Sequence, residues 1–98
     1  MSEVGSVIVD STVADSEPIE MGGHGGLRLY FPTGFTADCD IFELDHLGNY
    51  VDSNLNVTVP AVLPGSVAVD ADIFAAKSIK LKCAGADDGK TVGYRLKT

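Results

Sequence analysis

Apolar and polar side chains alternate with a period of two along much of this chain, and an extended strand is the conformation that sends such residues to opposite faces. Leu27, Leu29 and Phe31 alternate with Arg28 and Tyr30 until Pro32, Thr33 and Gly34 stop the run. Leu55, Val57 and Val59 alternate with Asn56 and Thr58 up to Pro60, and Val67 and Val69 share one side after the turn at Pro64 and Gly65. Ile79, Leu81 and Cys83 stand opposite Ser78, Lys80 and Lys82, and Val92, Tyr94 and Leu96 stand opposite Arg95 and Lys97. These last two are the clearest strands. Cys39 to Leu44 reads as another whose inward face is open, and Asp45 to Asn49 has the Asp-first, Gly-late chemistry of a hairpin that returns into Tyr50 and Val51. Ser6 to Ser11 predicts an N-terminal strand, with a short second one about Ile19 and Met21. The glycine-rich stretch from Met21 to Gly26 predicts a loop. Asp70 to Ala76 is the one segment with helical character, an Asp cap followed by small and apolar residues, with room for one or two turns.

Eight or nine short alternating strands joined by turns predict an all-β fold: an antiparallel β-sandwich, jelly-roll-like, with a barrel as the competing way to close it. Ninety-eight residues suit a single domain, 1–98, with one core, and eleven Gly and four Pro supply the breaks. Residues 1–10 are a candidate arm for contacts between subunits. No apolar run approaches the ~20 residues that cross a bilayer, and Glu3 and Asp10 stand where a signal peptide carries Lys or Arg. The expectation is therefore no membrane partner and a cytoplasm-like compartment. Cys39 and Cys83 have no spacing signal for pairing and read as two buried free thiols.

The net charge of −7 is unevenly spread: the chain carries −11 up to Ala76 and +4 from Lys77 onward. A basic last quarter on an acidic protein suits packing between subunits, where opposite patches attract and set register. The competing account is that these lysines cover the solvent side of two strands. Nucleic acid is not an expected partner, because phosphate neutralisation supplies most of that affinity and the acidic remainder opposes it.

Little in the sequence points to catalysis. A nucleophile needs a neighbouring base, yet the two histidines, His24 and His46, fall in a glycine loop and a hairpin turn. Gly22, Gly23, Gly25 and Gly26 lack the Lys-Ser/Thr ending of a phosphate loop. Asp38 with Asp40, Asp70 with Asp72, and Asp87 with Asp88 pair hard oxygen ligands near loops, but none matches a twelve-residue calcium loop, and Asp caps turns for structural reasons. No catalytic residue, cofactor or metal is predicted. Tyr30, Phe35 and Tyr50 are candidates to stack on a sugar ring, weighed against core or interface packing.

The succession Gly26-Leu27-Arg28-Leu29-Tyr30-Phe31-Pro32-Thr33-Gly34-Phe35-Thr36-Ala37, then Ile41-Phe42-Glu43-Leu44 and the Asp45-to-Tyr50 turn, resembles a group of small proteins encoded among the virion genes of tailed bacteriophages. In that group a Gly-Leu stretch leading to Pro and then Trp-Thr-Ala precedes a strand and an Asp-x-x-Gly turn; Phe35 stands where the group has Trp. Val67 to Asp70, Ile73 to Ala75, Ser78 to Leu81 and the Arg95-Leu96-Lys97 ending are similar to its second half. The resemblance implies a capsid cement or decoration subunit: a structural protein on the virion surface, made in the host bacterial cytoplasm. It implies the major capsid protein and further copies of the chain as partners, with a homotrimer as the assembled form. On that reading the N-terminal arm and the basic last strands make the contacts, and the candidate interface residues are Arg28, Tyr30, Phe35, Lys80, Lys82, Arg95 and Lys97. The alternative is a carbohydrate-binding or neck or tail accessory module of the virion.

Overall fold

A computed structural model describes residues 2–24, 26–69 and 76–97. Eight strands follow one another: β1 (Ser2–Ile8), β2 (Ile19–Glu20), β3 (Gly26–Phe31), β4 (Cys39–Leu44), β5 (Tyr50–Val57), β6 (Gly65–Val69), β7 (Ser78–Lys82) and β8 (Thr91–Lys97). They form two four-stranded antiparallel sheets, ordered β1-β8-β3-β6 and β2-β7-β4-β5. The pairings β1–β8, β2–β7, β3–β6 and β4–β5 are those of one long hairpin, whose outer half runs back along its inner half. Rolling that hairpin up adds β3–β8 and β4–β7 and closes a jelly roll. The antiparallel β-sandwich predicted from the alternation is therefore the fold.

Between the sheets lies a core of Phe31, Leu29, Met21, Ile41, Ile79, Leu81, Val92 and Leu96, each less than 2 % exposed. Each such side chain contributes about 1.5–3 kcal/mol by leaving water. The predicted inward residues of β3, β7 and β8 are buried except Tyr94, which is half-buried and packs with Val67 and Val69 at the margin of the core. Cys39 and Cys83 are both free and buried, as expected. Desolvation is the main cause that pushes their thiols up, to about 12 and about 11, so neither is a nucleophile at neutral pH.

Two expectations change. The N-terminal strand, expected over Ser6–Ser11, begins at Ser2 and ends at Ile8, and it pairs with β8 over seven residues as an edge strand of the sandwich. Tyr50 and Val51 and the Leu55 run belong to one strand, β5, that the sequence divides in two. The division reflects a register shift opposite Ile41 and Phe42, with Asn54 in the left-handed region at φ 63°. There the Ser53 hydroxyl donates to the Ile41 carbonyl at 2.6 Å, and the Asp52 carboxylate accepts the Asn54 amide at 2.8 Å. The helical segment expected at Asp70–Ala76 lies, but for Ala76, outside the described residues.

The turns behave as their residues require. Asp45 accepts the amides of Leu47 and Asn49 at 2.9 and 2.8 Å, and Gly48 adopts φ 86°, a conformation costly for residues with a Cβ. The Asn49 amide leads the bonds that hold the Asp45 carboxyl below its ordinary value. At the opposite end of the sandwich the 3-10 turn Gly85–Asp87 delivers a fully buried aspartate. Asp87 accepts the Thr36 amide and hydroxyl at 3.0 and 2.9 Å, the Ala37 amide at 3.2 Å and the Lys90 ammonium at 2.8 Å. Burial alone would raise this carboxyl; the bonds from Lys90, Thr36 and Ala37 outweigh it and hold it below its ordinary value. One buried charge thereby ties the β3–β4 loop to the start of β8.

Candidate functional site

The outer face of the sheet β1-β8-β3-β6 collects most of the predicted interface residues. Because Leu27, Leu29 and Phe31 point into the core, Arg28 and Tyr30 point away from it, and the same parity on β8 turns Arg95 and Lys97 outward. The register then sets Arg28 directly opposite Arg95, with Val4 on the far side of Arg95 and Ala68 on the far side of Arg28. One rung away Tyr30 faces Gly93, which is flanked by Ser6, and in the other direction Lys97 faces Gly26.

Small residues make this face low. A Cβ added at Gly93 would lie 3.5 Å from the Tyr30 Cβ, an ordinary van der Waals contact. Gly26, Leu27, Arg28, Tyr30, Arg95 and Lys97 line a shallow depression of about 390 Å³. The Arg28 guanidinium is held by a 2.9 Å bond to the Ser66 hydroxyl on β6, a neutral partner. Among the described residues, no Arg28, Arg95 or Lys97 side chain forms a salt bridge. Like charges directly opposite one another in a sheet are destabilising, so this arrangement disfavours the isolated fold and favours an anion placed over it.

The other outer face, on β2-β7-β4-β5, treats its cations differently. The Lys80 ammonium donates to the Val13 carbonyl at 2.9 Å and lies 4.6 Å from the centre of the Tyr50 ring. Tyr50 in turn hydrogen-bonds Ser78 at 2.8 Å, which is why Ser78 is buried although its parity points outward. Lys82 stands in register with Asp40, whose carboxylate accepts the Asn56 amide at 2.9 Å.

The seven sequence-predicted interface residues thus separate into three places. Arg28, Tyr30, Arg95 and Lys97 come together on one face. Lys80 and Lys82 lie on the opposite face, because β7 and β8 belong to different sheets, and the basic last quarter is therefore not a single surface. Phe35 is 5 % exposed and packs edge-on against Phe31 at 4.9 Å and 65°, which removes it from any interface and from sugar stacking. Its place in the core follows from the Pro32–Phe35 turn, in which the Phe35 amide donates to the Pro32 carbonyl and folds the ring back over the sheet end.

His24 lies 3.4 Å from Glu3, and His46 is exposed in the β4–β5 turn. The acidic side chains tie distant segments together: Asp38 accepts the Val59 amide at 3.0 Å and Asp88 accepts the Ser11 amide. Asp70 and Asp72 lie outside the described residues.

Sequence reasoning missed Val4, Ser66, Gly26 and Gly93 as parts of the cationic face. No local signal marks them, since each joins the face only through its partner across a strand. Comparisons with family models, with curated proteins and with solved structures find no match to this chain.

Proposed function

We propose that the protein is a structural subunit of a tailed-bacteriophage virion, a capsid cement or decoration protein that docks through the outer face of β1-β8-β3-β6. The observation that carries this reading is the facing pair Arg28 and Arg95 with Lys97 one rung away, three cations gathered on a chain whose net charge is −7. Such a cluster supports recognition of an acidic surface, here that of the major capsid protein, by attraction and by register. The resemblance of the Gly26–Ala37 stretch and the Arg95-Leu96-Lys97 ending to virion proteins supplies the partner class. A sandwich of this kind bridges shell subunits with its flat outer face, and a broad contact of that type needs no cleft.

Co-sedimentation with expanded capsid shells tests the proposal. The parent chain is expected to pellet with shells, and the triple variant Arg28→Glu, Arg95→Glu, Lys97→Glu is expected to lose at least tenfold in affinity. A parent chain that stays in the supernatant at low salt overturns the reading. Tyr30, 38 % exposed at the rim of the same depression, favours one second reading, recognition of an acidic sugar. Glycan binding by the parent that disappears in Tyr30→Ala would select it.

A further inference from the structure

Cys39 opens β4 and Cys83 is the first residue after β7, and these two strands are paired at the centre of the sheet β2-β7-β4-β5. Asp40 stands opposite Lys82 and Ile41 opposite Leu81, so one further step of the same register sets Cys39 opposite Cys83. Asp40 and Lys82 point to water, so the neighbouring cysteines both point inward, where they are 0 % and 5 % exposed.

Backbone bonds fix which kind of cross-strand pair this is. Just before β7 the Lys77 carbonyl accepts the Met21 amide at 2.8 Å, and just after it the Cys83 amide donates to the Asp10 carbonyl at 3.0 Å, both on the side away from β4. Odd-numbered residues along β7 therefore direct their backbone away from β4. On the facing strand the Ile41 carbonyl accepts the Ser53 hydroxyl of β5, so odd-numbered residues of β4 turn away from β7 as well. Cys39 and Cys83 are thus a non-hydrogen-bonded antiparallel pair, the kind with the closer side chains and with Cα atoms about 4.5 Å apart. That separation lies within the roughly 4.4–6.8 Å that a disulfide spans. Charge on Cys83 is among the causes that raise the Cys39 thiol, as expected of neighbours.

We propose that Cys39 and Cys83 are a modification site: they join as a cross-strand disulfide when the chain folds in the presence of a small-molecule disulfide such as oxidised glutathione. One cysteine thiolate attacks a sulfur of the glutathione disulfide, and a glutathione thiolate leaves. The second cysteine thiolate attacks the protein sulfur of that mixed disulfide; the bond between Cys39 and Cys83 forms and the second glutathione thiolate leaves. The two protons given up by the cysteines end on the two glutathiones, so the protein is oxidised by two electrons and the glutathione disulfide is reduced. A glutathione-linked intermediate is larger than a close-packed core can hold, and the exchange therefore belongs to the open chain. Once the sheets close, burial pushes both thiols up and exchange stops, so the redox state set during folding is kept. The bond closes the chain from β4 to β7 into one loop and stabilises the sandwich by restricting its unfolded state.

Refolding of the full chain from urea tests this. Diluted into a mixture of oxidised and reduced glutathione, the chain is expected to emerge lighter by the two thiol hydrogens and to take up no iodoacetamide when unfolded again. Refolded in dithiothreitol, it is expected to take up one alkyl group on each cysteine. The linked form is expected to melt at least about 10 °C higher than the dithiol form. The double variant Cys39→Ala, Cys83→Ala is expected to melt at one temperature in both buffers. Native dithiol chain placed in the glutathione mixture is expected to lose its thiols at least about a hundredfold more slowly than the same chain in urea. A refolded chain whose cysteines both remain open to alkylation overturns the inference, as does a disulfide found only between chains or to glutathione, or a linked form no more stable than the dithiol form. Oxidation of the native chain as fast as in urea overturns the part assigned to folding. Shell binding is a separate measurement, so the disulfide and the virion reading stand or fall independently.

Discussion

Asp87 and the pair Arg28 and Arg95 show two opposite ways of treating charge within one small sandwich. Asp87 is fully buried and accepts from two amides, a hydroxyl and an ammonium, the last of which also donates to the Gly34 carbonyl. Arg28 and Arg95 stand in water, face each other across β3 and β8, and among the described residues have only a serine hydroxyl between them as a partner. A charge whose partners are all internal serves the fold, because removing it strands those partners. A charge whose neighbours repel it is placed to serve something outside the fold, because removing it relieves that repulsion. The face of β2-β7-β4-β5 lies between these extremes, with Lys80 engaged by a carbonyl and a ring.

The largest effect that would test this contrast is at Asp87. Asp87→Ala is expected to lower stability by about 3–5 kcal/mol, because it leaves the Thr36 and Ala37 amides without their acceptor and the Lys90 ammonium without its counter-charge. Urea denaturation reads this directly, and a loss under 1 kcal/mol would end the idea that this residue locks the loop. The same carboxyl sets an acid limb. Its folded-state value lies below the ordinary one, so its contribution is complete above about pH 4 and is lost as pH falls through the folded value. In Asp87→Asn the parent's loss of stability below pH 4 should be measurably shallower.

On the second face, Lys80→Ala is expected to cost about 1 kcal/mol, the sum of a ring contact and a bond to Val13. Thermal unfolding checks it; no change would place Lys80 with the unengaged cations. The smallest effect has the opposite sign. Arg95→Gln relieves repulsion with Arg28 and is expected to raise stability by about 0.5 kcal/mol while weakening shell binding. If it destabilises by more than 1 kcal/mol, the arginine pair is structural and the contrast fails.

Much of the fold was legible because burial acts on every second residue. Leu27, Leu29, Phe31, Ile79, Leu81, Val92 and Leu96 were identifiable as core from alternation, and each is buried. Less of the site could be read. Arg95 and Lys97 were visible as outward residues, but nothing local revealed that β8 lies beside β3 while β7 lies in the other sheet. The charge asymmetry between the two parts of the chain suggested one basic surface, and the rolled hairpin distributes it over two. Phe35 failed for a related reason: a lone aromatic after a turn has no period, and the side to which the turn folds decides its burial.

The sequence by itself determined most of the strands, the buried faces of β3, β7 and β8, the hairpin turn at Asp45–Asn49 and the two inert thiols, since each depends on residues near one another along the chain. Which strands are neighbours, and so the meeting of Arg28 with Arg95 and the enclosure of Asp87, was decided by the tertiary structure. Those features join residues tens of positions apart, and hydrophobic alternation carries no record of which strand will lie beside which.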